Sequence, residues 1–152
     1  MKNTDETNNG RHVKKILIVE DDQNIAKALA IRLKSAGYEV TVAPDAMTGV
    51  AAALKIQPDL AMLDVSLPAG NGFTVAEKIR ELLVTATPII FLTASKQRGL
   101  RHKAQDLGAA GFFEKPYDAD ELLAAIRHAF GEHEVTKHTP APAAGTVLEL
   151  SL

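Results

Sequence analysis

The sequence contains no cysteine, which excludes disulfides, thiolate metal sites and cysteine nucleophiles. It has no apolar run near the ~20 residues that cross a bilayer as a helix. Residues 1–11 are polar and lack the apolar stretch of a secretory signal. Neither sign of charge is in excess: 17 Lys and Arg stand against 19 Asp and Glu, a formal net charge of −2. That balance gives no reason to expect non-specific attraction to nucleic acid. The five histidines (His12, His102, His128, His133 and His138) are scattered without metal-ligand spacing. These absences lead us to expect a cytoplasmic protein with no membrane contact and no direct DNA binding.

What is present is ordinary in bulk and specific in pattern. Its 152 residues suit one compact domain with short tails. Five strand candidates alternate with helical patterns: β1 at Lys15–Val19, β2 at Glu39–Ala43, β3 at Asp59–Asp64, β4 at Pro88–Thr93 and β5 at Gly111–Glu114. The intervening stretches repeat apolar residues at three- and four-residue steps, as in Ile25, Leu29 and Leu33 or Phe73, Ala76 and Ile79. Gly37 and Gly108 stand where helices end in the left-handed region. Asp45 and Asp118 stand where N-caps belong, the latter with Glu121 in a capping-box pattern.

Strict alternation implies a parallel sheet covered by helices on both faces. Ile16–Val19, Leu60–Leu63 and Ile89–Leu92 are continuous apolar runs, as expected of central strands. The second strand alternates and the fifth is short, so both read as edges. The resulting order is 2-1-3-4-5, a doubly wound, flavodoxin-like α/β sandwich. In that order a ligand site lies at the carboxyl ends of β1 and β3. We expect the domain to occupy residues 14–130, with disordered or flexible tails at 1–13 and 131–152. The alternating segment Val147–Leu152 reads as disordered, or as able to add to a sheet edge or bind in trans.

Glu20, Asp21 and Asp22 follow β1 directly, and Asp64 ends β3. The predicted topology makes these ends neighbours, so carboxylates converge. Two carboxylates ~4 Å apart repel by about 4 kcal/mol at an effective dielectric near 20. Such a cluster calls for a cation or a shared proton. An all-oxygen donor set favours a hard ion such as Mg²⁺. Asp22 reads instead as the N-cap of the first helix.

Four segments, Ile16–Asp22 (ILIVEDD), Asp59–Gly72 (DLAMLDVSLPAGNG), Ile89–Ser95 (IIFLTAS) and Gly108–Pro116 (GAAGFFEKP), resemble the signature segments of bacterial response-regulator receiver domains. They come in the family's order and cover residues 14–130. The resemblance implies a CheY-like, single-domain member of a two-component phosphorelay. It makes Asp64 the phosphoacceptor. Mg²⁺ or Mn²⁺ would be bound by Glu20, Asp21, Asp64 and the backbone carbonyl of Ser66. Thr93, Ala94 and Lys115 would form the phosphoryl-binding group, with Thr93 and Phe112 as switch residues and a cis Lys115–Pro116 bond. Asn71 departs from the acidic residue common before Gly72.

The partner implied is a sensor histidine kinase or histidine phosphotransfer protein, with a downstream protein target. The oligomeric state implied is a monomer or a weak dimer through the fourth helix, fifth strand and fifth helix (α4-β5-α5). The resemblance describes a signalling switch with modest self-catalysed phosphotransfer and dephosphorylation rather than an enzyme. Three other readings stay open: a phosphorylation-independent receiver scaffold, a flavin- or nucleotide-binding flavodoxin-like protein, and an aspartate phosphohydrolase. The second would want a glycine-rich loop after β1, where this chain has Glu-Asp-Asp. The third would want two acids separated by one residue there, a spacing that Glu20 and Asp22 meet only with the wrong first residue. Phe112 can equally be a packed edge-strand aromatic. The basic run Lys96, Arg98, Arg101, His102 and Lys103, read as opening the fourth helix, is either a solvated face or a docking surface for an acidic partner.

Overall fold

A computed structural model describes residues 12–132. The expected tails, with Val147–Leu152, His133 and His138, fall almost entirely outside the described residues. The strands are β1 (Lys15–Val19), β2 (Glu39–Ala43), β3 (Leu60–Asp64), β4 (Ile89–Thr93) and β5 (Gly111–Glu114). The helices are α1 (Gln23–Ser35), α2 (Ala46–Ile56), α3 (Gly72–Leu82), α4 (Leu100–Asp106) and α5 (Ala119–Ala129). All strand pairs are parallel, in the order β2-β1-β3-β4-β5. This is the doubly wound arrangement read from the sequence. A short antiparallel ladder, Ser66–Leu67 with Gly70–Asn71, was not anticipated; it folds the loop after β3 back on itself.

The central strands divide their side chains between two cores because successive residues point to opposite faces. Leu17, Val19, Leu63 and Phe91 lie on one face with Phe73, Ala76 and Ile79 of α3 and Ala104 of α4. Ile16, Ile18, Met62 and Leu92 lie on the other with Leu29 and Leu33 of α1 and Leu122 and Ile126 of α5. Each fully buried Leu, Ile or Phe contributes on the order of 1.5–3 kcal/mol. Since a one-residue slip would exchange the faces, this burial fixes the strand register. Register in turn fixes where the acids after β1 and β3 emerge.

The helix starts follow their capping residues. Asp22 accepts hydrogen bonds from the N–H groups of Asn24 and Ile25, so it is the N-cap of α1. Asp45 caps α2 through Thr48, and Asn71 caps α3 through Thr74. Asp118 accepts from Asp120 and Glu121 at the start of α5. Gly37 and Gly108 follow α1 and α4 with φ of 100° and 70°, the left-handed region a glycine enters without steric cost. The fourth helix departs from expectation. It begins only at Leu100, after Gly99 with φ of 89° and no side-chain cap, so Lys96 and Arg98 precede it.

Candidate functional site

At the carboxyl ends of β1 and β3 the structure gathers Glu20, Asp21 and Asp64. Each offers a carboxylate oxygen, and these atoms lie within 4.8 Å of one another. Asp22, three residues past the core, turns away to its capping role. Glu20 and Asp64 are buried, 2% and 5% exposed, while Asp21 faces solvent. Two buried carboxylates this close need compensation. Lys115, carried on the loop after β5, supplies part of it. Its Nζ donates to Glu20 Oε1 at 2.6 Å and to Asp64 Oδ2 at 3.0 Å. The Lys115–Pro116 peptide bond is cis.

Backbone donors engage the other oxygen of each buried carboxylate. The Ser66 N–H donates to Asp64 Oδ1 at 3.0 Å, and the Asp22 N–H donates to Glu20 Oε2 at 3.1 Å. Burial pushes the Glu20 carboxyl above its usual value; hydrogen bonds from Lys115 and Asp22 pull it back, and the Asp64 charge adds to the rise. For Lys115, burial works against the ammonium, but the hydrogen bonds to Glu20 and Asp64 outweigh it and raise its pKa. The lysine is therefore held charged. With all four groups ionised, three carboxylates and one ammonium leave a charge of −2. A divalent cation with oxygen preference matches both that charge and that donor set.

Thr93, the last residue of β4, is fully buried beside this cluster: its predecessor Leu92 is the register partner of Asp64. Its Oγ1 accepts the Ser95 N–H at 3.0 Å, which leaves its own proton free to donate. Ala94, next in the chain, is exposed. Ser66 and Asp21 line one open cleft of about 610 Å³, with Asn71, Phe73, Gln97 and Lys103 along its walls.

The sequence profile of the response regulator receiver domain matches residues 16–127. The chain belongs to the response-regulator receiver family. Among relatives of this receiver, the DNA-binding dual master transcriptional regulator RpaA of a Synechocystis strain is 42% identical over 114 residues, 74% of this chain and 47% of that protein. The transcriptional regulatory protein DltR of Streptococcus agalactiae is 42% identical over 113 residues, 74% of this chain and 50% of its own. The chain thus spans about half the length of these relatives. The expectation of no direct DNA contact finds no support in them.

Among solved structures, a CheY-like receiver domain protein from Methanospirillum hungatei superposes with a TM-score of 0.74 at 30% identity, covering 80% of this chain and 96% of that one. The chemotaxis protein CheY4 of Vibrio cholerae gives 0.71 at 29% identity, covering 78% and 99%. The CheY-like fold and membership in two-component response regulators follow. None of the described helices is long and apolar enough to cross a membrane.

The receiver's other marked residue, Phe112, sits on β5 opposite Phe91 of β4. It is half-buried against the α3/α4 core, with the Arg101 guanidinium 4.8 Å from its ring centroid. The basic run around α4 is exposed and makes several surface contacts. Lys96 pairs with Glu114 at 3.3 Å, His102 lies 3.6 Å from Asp106, and Lys103 stands 5.0 Å from the Phe73 ring centroid. All five side chains are exposed, so both readings of this run, a solvated face and a docking surface, stay open. Sequence reasoning also missed Gly72 as a residue of the site. A Cβ there would stand 2.3 Å from the Asp64 carbonyl oxygen. The available signal was a glycine opening a helix directly after the acid-bearing loop.

Proposed function

We propose that this receiver is a phosphorelay switch in which Asp64 accepts a phosphoryl group from a histidine of a sensor kinase or phosphotransfer protein. The observation that carries the reading is Lys115 Nζ bridging two buried carboxylates, Glu20 and Asp64, beside the exposed carboxylate of Asp21. Carboxylates buried this deeply are costly even when paired, and such clusters gather at functional sites.

In the proposed step an Asp64 carboxylate oxygen attacks the phosphorus of phosphohistidine. An O–P bond forms, the N–P bond breaks, and its electron pair returns to the imidazole nitrogen. Lys115 already contacts Asp64 Oδ2, so its ammonium stands where phosphoryl oxygens arrive. The free Thr93 proton can be donated to one of those oxygens. Glu20, Asp21, Asp64 and the Ser66 carbonyl would hold Mg²⁺, with Mn²⁺ as a substitute. When bound, the ion supplies neutralisation of the charge shared by acceptor and phosphoryl group. Self-catalysed transfer and loss of the phosphoryl group make the protein a switch rather than an enzyme.

The output in this reading is a change of the α4-β5-α5 surface, presented to a downstream protein. Thr93 and Phe91 alternate onto one face of β4, and Phe91 pairs with Phe112. Movement of Thr93 toward a phosphoryl group would open space on the side where Phe112 packs. Moving a rare state to dominance takes several kcal/mol of preference for the phosphorylated form. In this reading the protein acts in the cytoplasm. Intact mass after incubation with acetyl phosphate tests the proposal. One phosphoryl adduct should form with Mg²⁺ and be absent in Asp64→Asn. No adduct on the parent chain would remove the phosphorelay reading and leave a scaffold.

A further inference from the structure

The Arg101–Phe112 stack has no part in the phosphotransfer step, yet it touches the residue on which the proposed output turns. Arg101 reaches down from the first turn of α4 and lays its guanidinium 4.8 Å from the Phe112 ring centroid. Phe112 is half-buried, in contact with the core on one side and with this cation on the other. Its register partner Phe91 precedes Thr93 by two residues, so Phe91, Phe112 and Thr93 share the sheet face that α4 covers. A ring that leaves its half-exposed position for space beside Thr93 must give up the guanidinium.

We infer that Arg101 is a latch that holds Phe112 in its outward position and sets how readily the domain switches. The inference rests on the phosphorelay reading and adds a positioning residue to it. Arg101 touches neither Asp64 nor Lys115 in the structure, so its influence on the site passes through the ring. The contact is partly solvated, which puts the attraction at the weak end for a cation on an aromatic face. Its loss should shift the inward–outward equilibrium by about two- to five-fold. Domains poised in the inward form bind a phosphoryl mimic more tightly by the same factor.

Beryllofluoride titrations in Mg²⁺, followed by NMR of the whole chain, test the latch. Arg101→Gln should tighten beryllofluoride binding about two- to five-fold. Arg101→Lys, which keeps a cation over the ring, should stay close to the parent. In a Phe112→Leu background, Arg101→Gln should have no further effect. The Arg101 Nε–H resonance should be shielded by the ring in the free protein and lose that shielding in the complex. Unchanged affinity in Arg101→Gln would overturn the latch, and so would an equal gain in the Phe112→Leu background. In both cases the phosphorelay reading would stand. Failure of the parent chain to bind beryllofluoride would overturn both together.

Discussion

Gly72 lies directly against the backbone of Asp64: a Cβ at position 72 would stand 2.3 Å from the Asp64 carbonyl oxygen and 3.1 Å from the Val65 Cα. The Gly72 N–H also donates to the Val65 carbonyl at 2.9 Å. The start of α3 is thereby locked to the loop that presents the acceptor carboxylate. Because the obstructing atoms are backbone, a side chain cannot be accommodated by a rotamer change. Gly72→Ala should lower stability by about 1–3 kcal/mol, measured by denaturant unfolding. It should also slow acetyl phosphate labelling, because relief of the clash displaces Asp64. Unchanged stability and labelling would mean that the loop yields freely.

The acidic trio should make the protein's stability depend on divalent cations. A ligand that binds only the folded state at one hundred times its dissociation constant adds about 2.7 kcal/mol. Mg²⁺ should therefore raise the melting temperature of the parent chain, and Asp21→Asn should lose most of that increase. Lys115→Met leaves Glu20 and Asp64 without their ammonium, so it should be less stable than the parent without Mg²⁺ and gain more from the ion. Differential scanning fluorimetry across a Mg²⁺ series reads both effects. An equal Mg²⁺ response in Asp21→Asn would place the ion elsewhere.

The two tyrosines report on separate parts of the fold. Burial raises the Tyr38 pKa above 10.0, and Glu132, 3.2 Å from its hydroxyl, raises it further. Burial also raises Tyr117, with Lys115 opposing and Glu20 adding to the rise. Both folded values exceed the unfolded ones, so the unfolded chain ionises first. The associated stability is whole below about pH 10 and is lost as pH rises through the folded pKa values. Ultraviolet titration of tyrosinate should show both groups ionising late, and Glu132→Gln should lower Tyr38 alone. A titration at the ordinary tyrosine value would contradict the burial of both rings.

Much of this was legible in the sequence, for identifiable reasons. Ile16–Val19, Leu60–Leu63 and Ile89–Leu92 are apolar on both faces, so they could only be central strands, and the order followed. The capping acids Asp22, Asp45 and Asp118 act within three residues of themselves, a range at which spacing is decisive. The convergence of Glu20, Asp21 and Asp64 followed from topology alone. Contacts that join distant elements were not legible. Whether Arg101 faced water or the Phe112 ring depended on where α4 begins, and Gly99 starts it later than the basic run suggested. The close approach of Gly72 to Asp64 depended on the small antiparallel ladder at Ser66–Asn71, too short to leave a periodic signal.

In the phosphorelay reading Asp64 becomes the phosphorylated residue. The most direct test is borohydride reduction of the chain after acetyl phosphate treatment, followed by peptide mass spectrometry, since borohydride converts an aspartyl phosphate to homoserine. Homoserine should appear at position 64, and only when Mg²⁺ was present during labelling. Homoserine at Asp21 or at any other acid, or none in a chain treated with Mg²⁺, would contradict that reading.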